Sequence, residues 1–242
     1  MELVPLIVCV AAVAFLYSTV GHAGASGYIA VMSLFGLAAT TIRPTALVLN
    51  ILVSLLTTWQ FWRAGHFSWS LFWPFALLAT PLAFVGGYIS LPTHIFKVLV
   101  GVVLLLSAAR LFARPTTDDV ALGPSRPVAL SVGGALGLLA GLTGTGGGIF
   151  LTPLMLFMHW ARTKQAAATS AAFILANSLA GLSGNLVATK LLPTVAIPLA
   201  GAALAGGAAG SYFGARRFDH TLIKRLLAVV LIIAGAKLIF TP

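Results

Sequence analysis

The sequence predicts an all-α polytopic membrane protein, an inverted structural repeat of about eight to ten membrane segments with one short half-spanning helix per half. Three observations predict it: the scarcity of charge, the succession of apolar runs, and the likeness of the two halves. Residues are 60% hydrophobic and only 7% charged, where a soluble domain carries roughly 25% charged. So little charge cannot cover a surface that faces water, but it suits one that faces lipid.

The apolar segments run over residues 3–20, 28–38, 45–62, 70–90 and 96–112, then 128–143, 149–159, 166–187, 191–214 and 222–240. Gly, Pro or basic residues divide them. The first run is not expected to be a cleaved leader, because the charge before it is the acid Glu2 and an equivalent run recurs at 128–143. The longest polar stretch, ending at Pro127, separates a first membrane repeat (1–112) from a second (128–242) and forms a linker at 113–127.

The halves align with a drifting offset. Gly21, Gly24 and Gly27 recur 120 residues later as Gly141, Gly144 and Gly147, and Thr45 and Ser54 recur 124 later as Thr169 and Ser178. Lys97 recurs 127 later as Lys224. Such drift is expected of a duplicated unit with small loop changes. In each half the second segment is 11 residues long, roughly 16 Å of helix against a hydrocarbon core of about 30 Å.

Either the first two segments of each half form a hairpin, or together they make one broken crossing. The hairpin arrangement puts 10 of the 14 Lys and Arg on one side and four (Arg43, Lys97, Lys190, Lys237) on the other. The broken crossing splits them less unequally. Cytoplasmic loops carry the excess of Lys and Arg, so the hairpin is preferred, with the linker cytoplasmic and both termini outside. The net charge of +10 is thereby a matter of orientation, and no nucleic-acid partner is expected. Trp59, Trp62, Trp69, Trp73 and Trp160 near segment ends fit an aromatic belt.

All four carboxylates (Glu2, Asp118, Asp119, Asp219) lie outside the apolar segments. Cation transport and carboxylate proton relays need acids at depth, so a metal or cation substrate is disfavoured. The single cysteine, Cys9, sits in an apolar run, and no metal site or cofactor is expected. What does sit at depth is glycine-rich backbone, at 21–27 and 143–148. Glycine lets a ligand approach the main chain, and a helix start offers unpaired N–H groups at a positive dipole end. Two such starts make an anion site without fixed charge.

The candidate substrate-binding residues are therefore His22, Gly24, Ser26 and Gly27 in the first break, and Thr143, Gly144, Thr145, Gly146, Gly147 and Gly148 in the second. Asn50, Ser54, Asn177 and Ser178 join them from the third segments. The other glycine-rich stretches, at 133–137, 201–210 and 214, read as close helix packing. His66, His94, His159 and His220 lie near segment ends and receive no role.

The strings GLTGTGGGIFLTPLMLF and ATSAAFILANSLAGLSGN resemble the sulfite exporter TauE/SafE family, also called the toluenesulfonate uptake permease family. GHAGASGYIAVMSLFGL in the first half is similar to a degenerate copy of the same signature. The likeness covers essentially the whole chain. It implies a bacterial inner-membrane permease or exporter for sulfite, organosulfonates or related sulfur compounds. In the first half Ala25, Ser26 and Tyr28 stand where the second has Thr145, Gly146 and Gly148. The expectation is a secondary transporter of a small anion, working by alternating access around the paired breaks. Its partners are that anion and the lipid bilayer, and a homo-oligomer is compatible with the reading. Two rivals are a passive anion channel and an intramembrane serine protease, because Gly24-Ala25-Ser26-Gly27 resembles the rhomboid nucleophile motif.

Overall fold

In the computed structural model, residues 3–89, 109, 122–190 and 194–240 are described. They contain nine α-helices and no strand: α1 (Leu3–Thr19), α2 (Ala25–Leu34), α3 (Ala39–Arg63), α4 (Trp69–Tyr88), α5 (Arg126–Thr143), α6 (Gly148–Phe157), α7 (Thr163–Thr189), α8 (Ala196–Tyr212) and α9 (His220–Phe240). A π-helical turn, Phe213–Arg217, extends α8. By length and composition, five of these can cross a membrane: α3, α4, α5, α7, and α8 with its π turn. The expected segment at 96–112, most of the linker, and Glu2, His94, Lys97, Asp118 and Asp119 lie outside the described residues.

Both short helices are ten residues long. They begin and end earlier than the hydropathy pattern suggests, because left-handed backbone sets their limits. Gly36 (φ 75°) follows α2, and His159 (φ 53°) follows α6. α3 starts six residues before the expected 45 and carries Pro44 in its second turn, which removes one backbone hydrogen bond.

The fourth helix of each half packs on the first and third helices of the other. α4 lies against α5 and α7, and α8 against α1 and α3. Glycines make this possible. Gly133, Gly137 and Gly141 of α5 press on the main chain at Phe75, Ala79 and Ala83 of α4. Gly206, Gly210 and Gly214 press on Ala11, Phe15 and Thr19 of α1 in the same manner. At each of these six a Cβ would overlap a backbone carbonyl. These glycines therefore do the packing expected of them, whereas Gly201 faces open space.

The paired numbers rise together, so α4 runs parallel to α5 and α1 parallel to α8. One face, face A, gathers Gly65 after α3, Ala215 after α8, Lys164 near the start of α7 and His220 at the start of α9. The starts of α4 and α5 reach the same face, where Ser68, Pro124 and Gln165 line one cavity. On the opposite face, face B, Arg43 at the start of α3 meets the ends of α4 and α5. Corresponding helices of the two halves thus run in opposite directions: α1 and α3 toward face A, α5 and α7 away from it.

Face A carries Arg63, Arg126, Arg162, Lys164, Arg216, Arg217, Lys224 and Arg225 near helix ends, whereas face B carries Arg43, Lys190 and Lys237. All five tryptophans also sit at the face A ends of helices or in face A connections. Trp59, Trp62 and Trp69 are half or more exposed, at 50%, 60% and 65%. Arg63 stacks over Trp59 at 5.4 Å and Arg126 over Trp73 at 5.7 Å, a cation–π lining suited to a polar headgroup zone.

Candidate functional site

The two breaks are built alike. α2 is capped by Gly24 (φ 106°) and α6 by Gly147 (φ 80°), both left-handed and neither helped by a side-chain cap. A side chain at such φ is strained, so glycine lets the chain reverse and leaves the first N–H groups of the returning helix uncapped. α2 folds back along α1, with Gly27 against Val13 and Tyr17, whereas α6 packs mainly on α7 and meets α5 near its own start, with Gly147 against Leu136 and Ala140.

α7 runs past both breaks. Gly21 packs on Ala167, and Gly146 on Ile174 and Ser178, seven and eleven residues further along, or roughly 10 to 16 Å at the helical rise. The breaks are therefore staggered, but their returning helices start near one another. Gly148 packs on Ile174, which shares an apolar cluster with Ala23 and Ala25.

His22 is 2% exposed. Its Nε2 lies 2.9 Å from Thr152 Oγ1, and that hydroxyl donates to Ser170 Oγ at 2.7 Å. The threonine proton is thus committed, so Nε2–H of His22 is the donor and Nδ1 carries the lone pair. Nδ1 is buried without a partner. This chain joins the first break to α6 and α7.

The second cluster surrounds Gly146. Asn50 Nδ2 donates to Ser178 Oγ at 3.4 Å, and Asn177 Nδ2 to the Gly146 carbonyl at 3.5 Å. Both bonds are long. Asn50 and Ser178 are 0% exposed and Asn177 is 1% exposed, yet Oδ1 of each asparagine has no partner. Buried amides are normally satisfied, so this pair keeps bonding capacity in reserve beside the second break.

Other candidates are placed differently. Ser26 donates to Tyr17 Oη at 3.0 Å. Thr143 donates to Leu139 O at 2.7 Å, which leaves Thr145 to donate to Thr143 across 2.8 Å. Ser54 bonds Ile51 O of its own helix at 3.4 Å and is not brought into either cluster. Gly144 lies against the Arg43 side chain.

Three contributors were not singled out from sequence. Thr152 and Tyr17 lie inside apolar runs, and only their polarity there marks them. Arg43 counts as an orienting charge in the sequence. In the structure its guanidinium donates to Gly86 O (2.9 Å), Gly87 O (3.2 Å) and Gly141 O. It thereby clamps the ends of α4 and α5 beside the second break. The one acid described here, Asp219, accepts from Leu222 N at 2.8 Å and caps α9 at face A.

A family model described as sulfite exporter TauE/SafE matches residues 6–238. The chain belongs to the sulfite exporter TauE/SafE family. A curated relative, a probable membrane transporter protein, y4hK of Sinorhizobium fredii, is 37% identical over 244 residues, covering 99% of each chain. No solved structure matches the chain. Within this TauE/SafE framework the protein is a multi-pass membrane transporter. The rhomboid-like alternative finds no Ser–His pairing at His22, whose Nε2 is engaged by Thr152 and whose Nδ1 is unpartnered.

Proposed function

We propose that the protein moves a small anion, of the sulfur oxyanion or organosulfonate class, by alternating access around the two breaks. The observation that carries this reading is the matched pair of uncapped helix starts, Gly24–Ala25 and Gly147–Gly148. Both are folded back among buried neutral side chains, where a helix N-terminus attracts negative charge. Asn50, Asn177 and Ser178 supply amide and hydroxyl donors beside one start, and His22 lies beside the other. The family's description as a sulfite exporter supports the substrate class.

The opposed directions of corresponding helices and their reciprocal packing support an inverted repeat arranged about a central site. With His22, Asn50, Asn177 and Ser178 all buried, the arrangement corresponds to an occluded state. The basic, tryptophan-rich face A is the cytoplasmic side by the positive-inside rule, the membrane being the bacterial inner membrane.

The test is sulfite flux in proteoliposomes. A Cβ at Gly146 would stand 2.8 Å from Ile174, 2.9 Å from Ser178 and 3.0 Å from Asn50, so Gly146→Leu blocks the break. Gly201→Leu, in open space, is the control. Saturable flux with counterflow, lost only in Gly146→Leu, supports the carrier. Flux that does not saturate indicates a channel, and flux retained in Gly146→Leu removes the break from the path.

A further inference from the structure

At face A, a cavity of about 420 Å³ is lined by Gly65, His66, Arg162, Lys164, Gln165, Asp219 and His220. It belongs to neither break. It joins the two halves, since Gly65 and His66 follow α3 and the rest come from the starts of α7 and α9. Two cationic side chains and two imidazoles face one carboxylate, and that carboxylate is already engaged in capping α9 through Leu222 N. The cavity is therefore electropositive.

Its wall is organised around a single carbonyl. His66 Nε2 (3.0 Å) and Lys164 Nζ (3.3 Å) both lie within hydrogen-bonding distance of Ala215 O, within the π turn. An imidazole nitrogen facing a carbonyl must carry the proton, so His66 presents its other nitrogen elsewhere. π turns leave backbone groups out of the regular ladder, and here one becomes the anchor that holds two basic side chains at the cavity.

The cavity also adjoins the first break by two routes. Lys164 is three residues before Ala167, on which Gly21 packs. Gly214, next to the anchoring Ala215, packs on Thr19 at the end of α1. A ligand that draws Lys164 off Ala215 therefore acts on the two segments that hold the first break in place.

We propose that this cavity is a second anion-binding site, an antechamber that takes a small divalent oxyanion from the aqueous phase at face A ahead of the first break. Binding rests on the cavity alone, whereas the antechamber role rests on the transport reading above. Two charged hydrogen bonds from Arg162 and Lys164 would supply most of the recognition. A volume of about 420 Å³ leaves room for the oxyanion with part of its water.

The experiment is equilibrium binding of radiolabelled sulfate to the purified full-length protein in detergent, at low ionic strength. Wild type is expected to bind saturably. Arg162→Gln alone, and Arg162→Gln with Lys164→Gln, should weaken binding by about tenfold or more, the equivalent of one charge-assisted hydrogen bond. Lys190→Gln, which removes the same charge from face B, should leave it unchanged. The single Arg162 variant guards against a folding defect, because its side chain is exposed and its backbone N–H, which bonds Gln165 Oε1 at the start of α7, is kept. Absence of saturable sulfate binding in wild type overturns the proposal. So does an equal loss in Lys190→Gln, which would reduce the effect to net charge. The two readings separate cleanly: localised sulfate binding without flux of any sulfur anion keeps the cavity and ends the transport reading. Flux without localised binding does the reverse.

Discussion

Removing the Arg43 guanidinium should loosen the bundle at face B more than any other single charge deletion. Its Nη2 donates to the carbonyls of Gly86 and Gly87 at 2.9 and 3.2 Å, and to Gly141. Those carbonyls belong to the last turns of α4 and α5, where no i+4 N–H remains to receive them. Gly86 and Gly141 also lie where a Cβ would overlap the neighbouring main chain, so the two helix ends sit close enough for one guanidinium to reach both. Hydrogen bonds to charged groups contribute about 1.5–3 kcal/mol each, and a cation at a helix C-terminus about 0.3–1 kcal/mol. Three bonds from one partly exposed group are not additive, and the wild-type charge itself bears a desolvation cost. Arg43→Met should therefore destabilise by about 2–4 kcal/mol in total. Arg43→Lys should recover part of that, having charge but no planar fork. The assay is chemical unfolding in detergent, followed by tryptophan fluorescence. An Arg43→Met protein within about 0.5 kcal/mol of wild type, the range of ordinary surface changes, would refute the clamp.

Packing makes an equally sharp contrast. Gly137→Ala should cost about 2–4 kcal/mol, because its Cβ would overlap the Ala79 main chain, while Gly201→Ala, in open space, should stabilise slightly by helix propensity; thermal melts of the two compare them directly. At face A, burial is the main cause that holds the His66 pKa below the ordinary value of 6.5, and the nearby Lys164 lowers it further. Unfolding then takes up a proton as the pH falls below about 6.5, so the stability this neutral ring supports is present above that pH and declines on the acid side. His66→Gln should flatten the acid limb of a melting-temperature profile, and an unchanged profile would remove His66 as the cause. His22→Gln, which keeps a donor toward Thr152, should abolish any pH dependence of flux if His22 carries a coupled proton; an unaltered dependence would exclude that role.

Much of the fold was legible because lipid demands long apolar helices and glycine-rich reversals, and both leave plain traces in a sequence. The all-helical architecture and the succession of long apolar helices with shorter ones between them agree with the sequence reading. The boundaries were less legible. α3 begins at Ala39 with Pro44 inside it, although the hydropathy pattern starts later. The site was legible only in part. Gly146, Asn50, Asn177 and Ser178 come together, but Ser54 bonds Ile51 of its own helix. Thr152 was hidden because one threonine in an apolar run is ordinary, and only the long-range contact with His22 gives it meaning. Arg43 was hidden for the opposite reason: it was already explained as an orienting charge.

The stagger of the breaks bears on how such a site could alternate. The first break packs on α7 at Ala167, toward face A, and the second at Ile174 and Ser178, toward face B, with Ile174 beside both helix starts. An anion near Ile174 can be held by one helix start while the other moves away, because each start belongs to a different half. The bonds that span this gap are few and weak enough to exchange. One is the His22–Thr152 bond, and the other is the long amide contact of Asn50 with Ser178 at 3.4 Å. The strongly fixed contacts, the glycine seams of α4 with α5 and of α1 with α8, each join an element of one half to an element of the other. Rocking of two intact sequence halves would have to tear those seams. Motion that keeps them moves α4 with α5 and α1 with α8, so the rigid units would be these cross-half pairs. A cysteine crosslink placed along a seam, at Leu78 and Gly134, where a Cβ on the glycine would lie 3.5 Å from the leucine Cβ, should then leave flux intact, whereas a crosslink that ties position 22 to position 152 across the gap should arrest it.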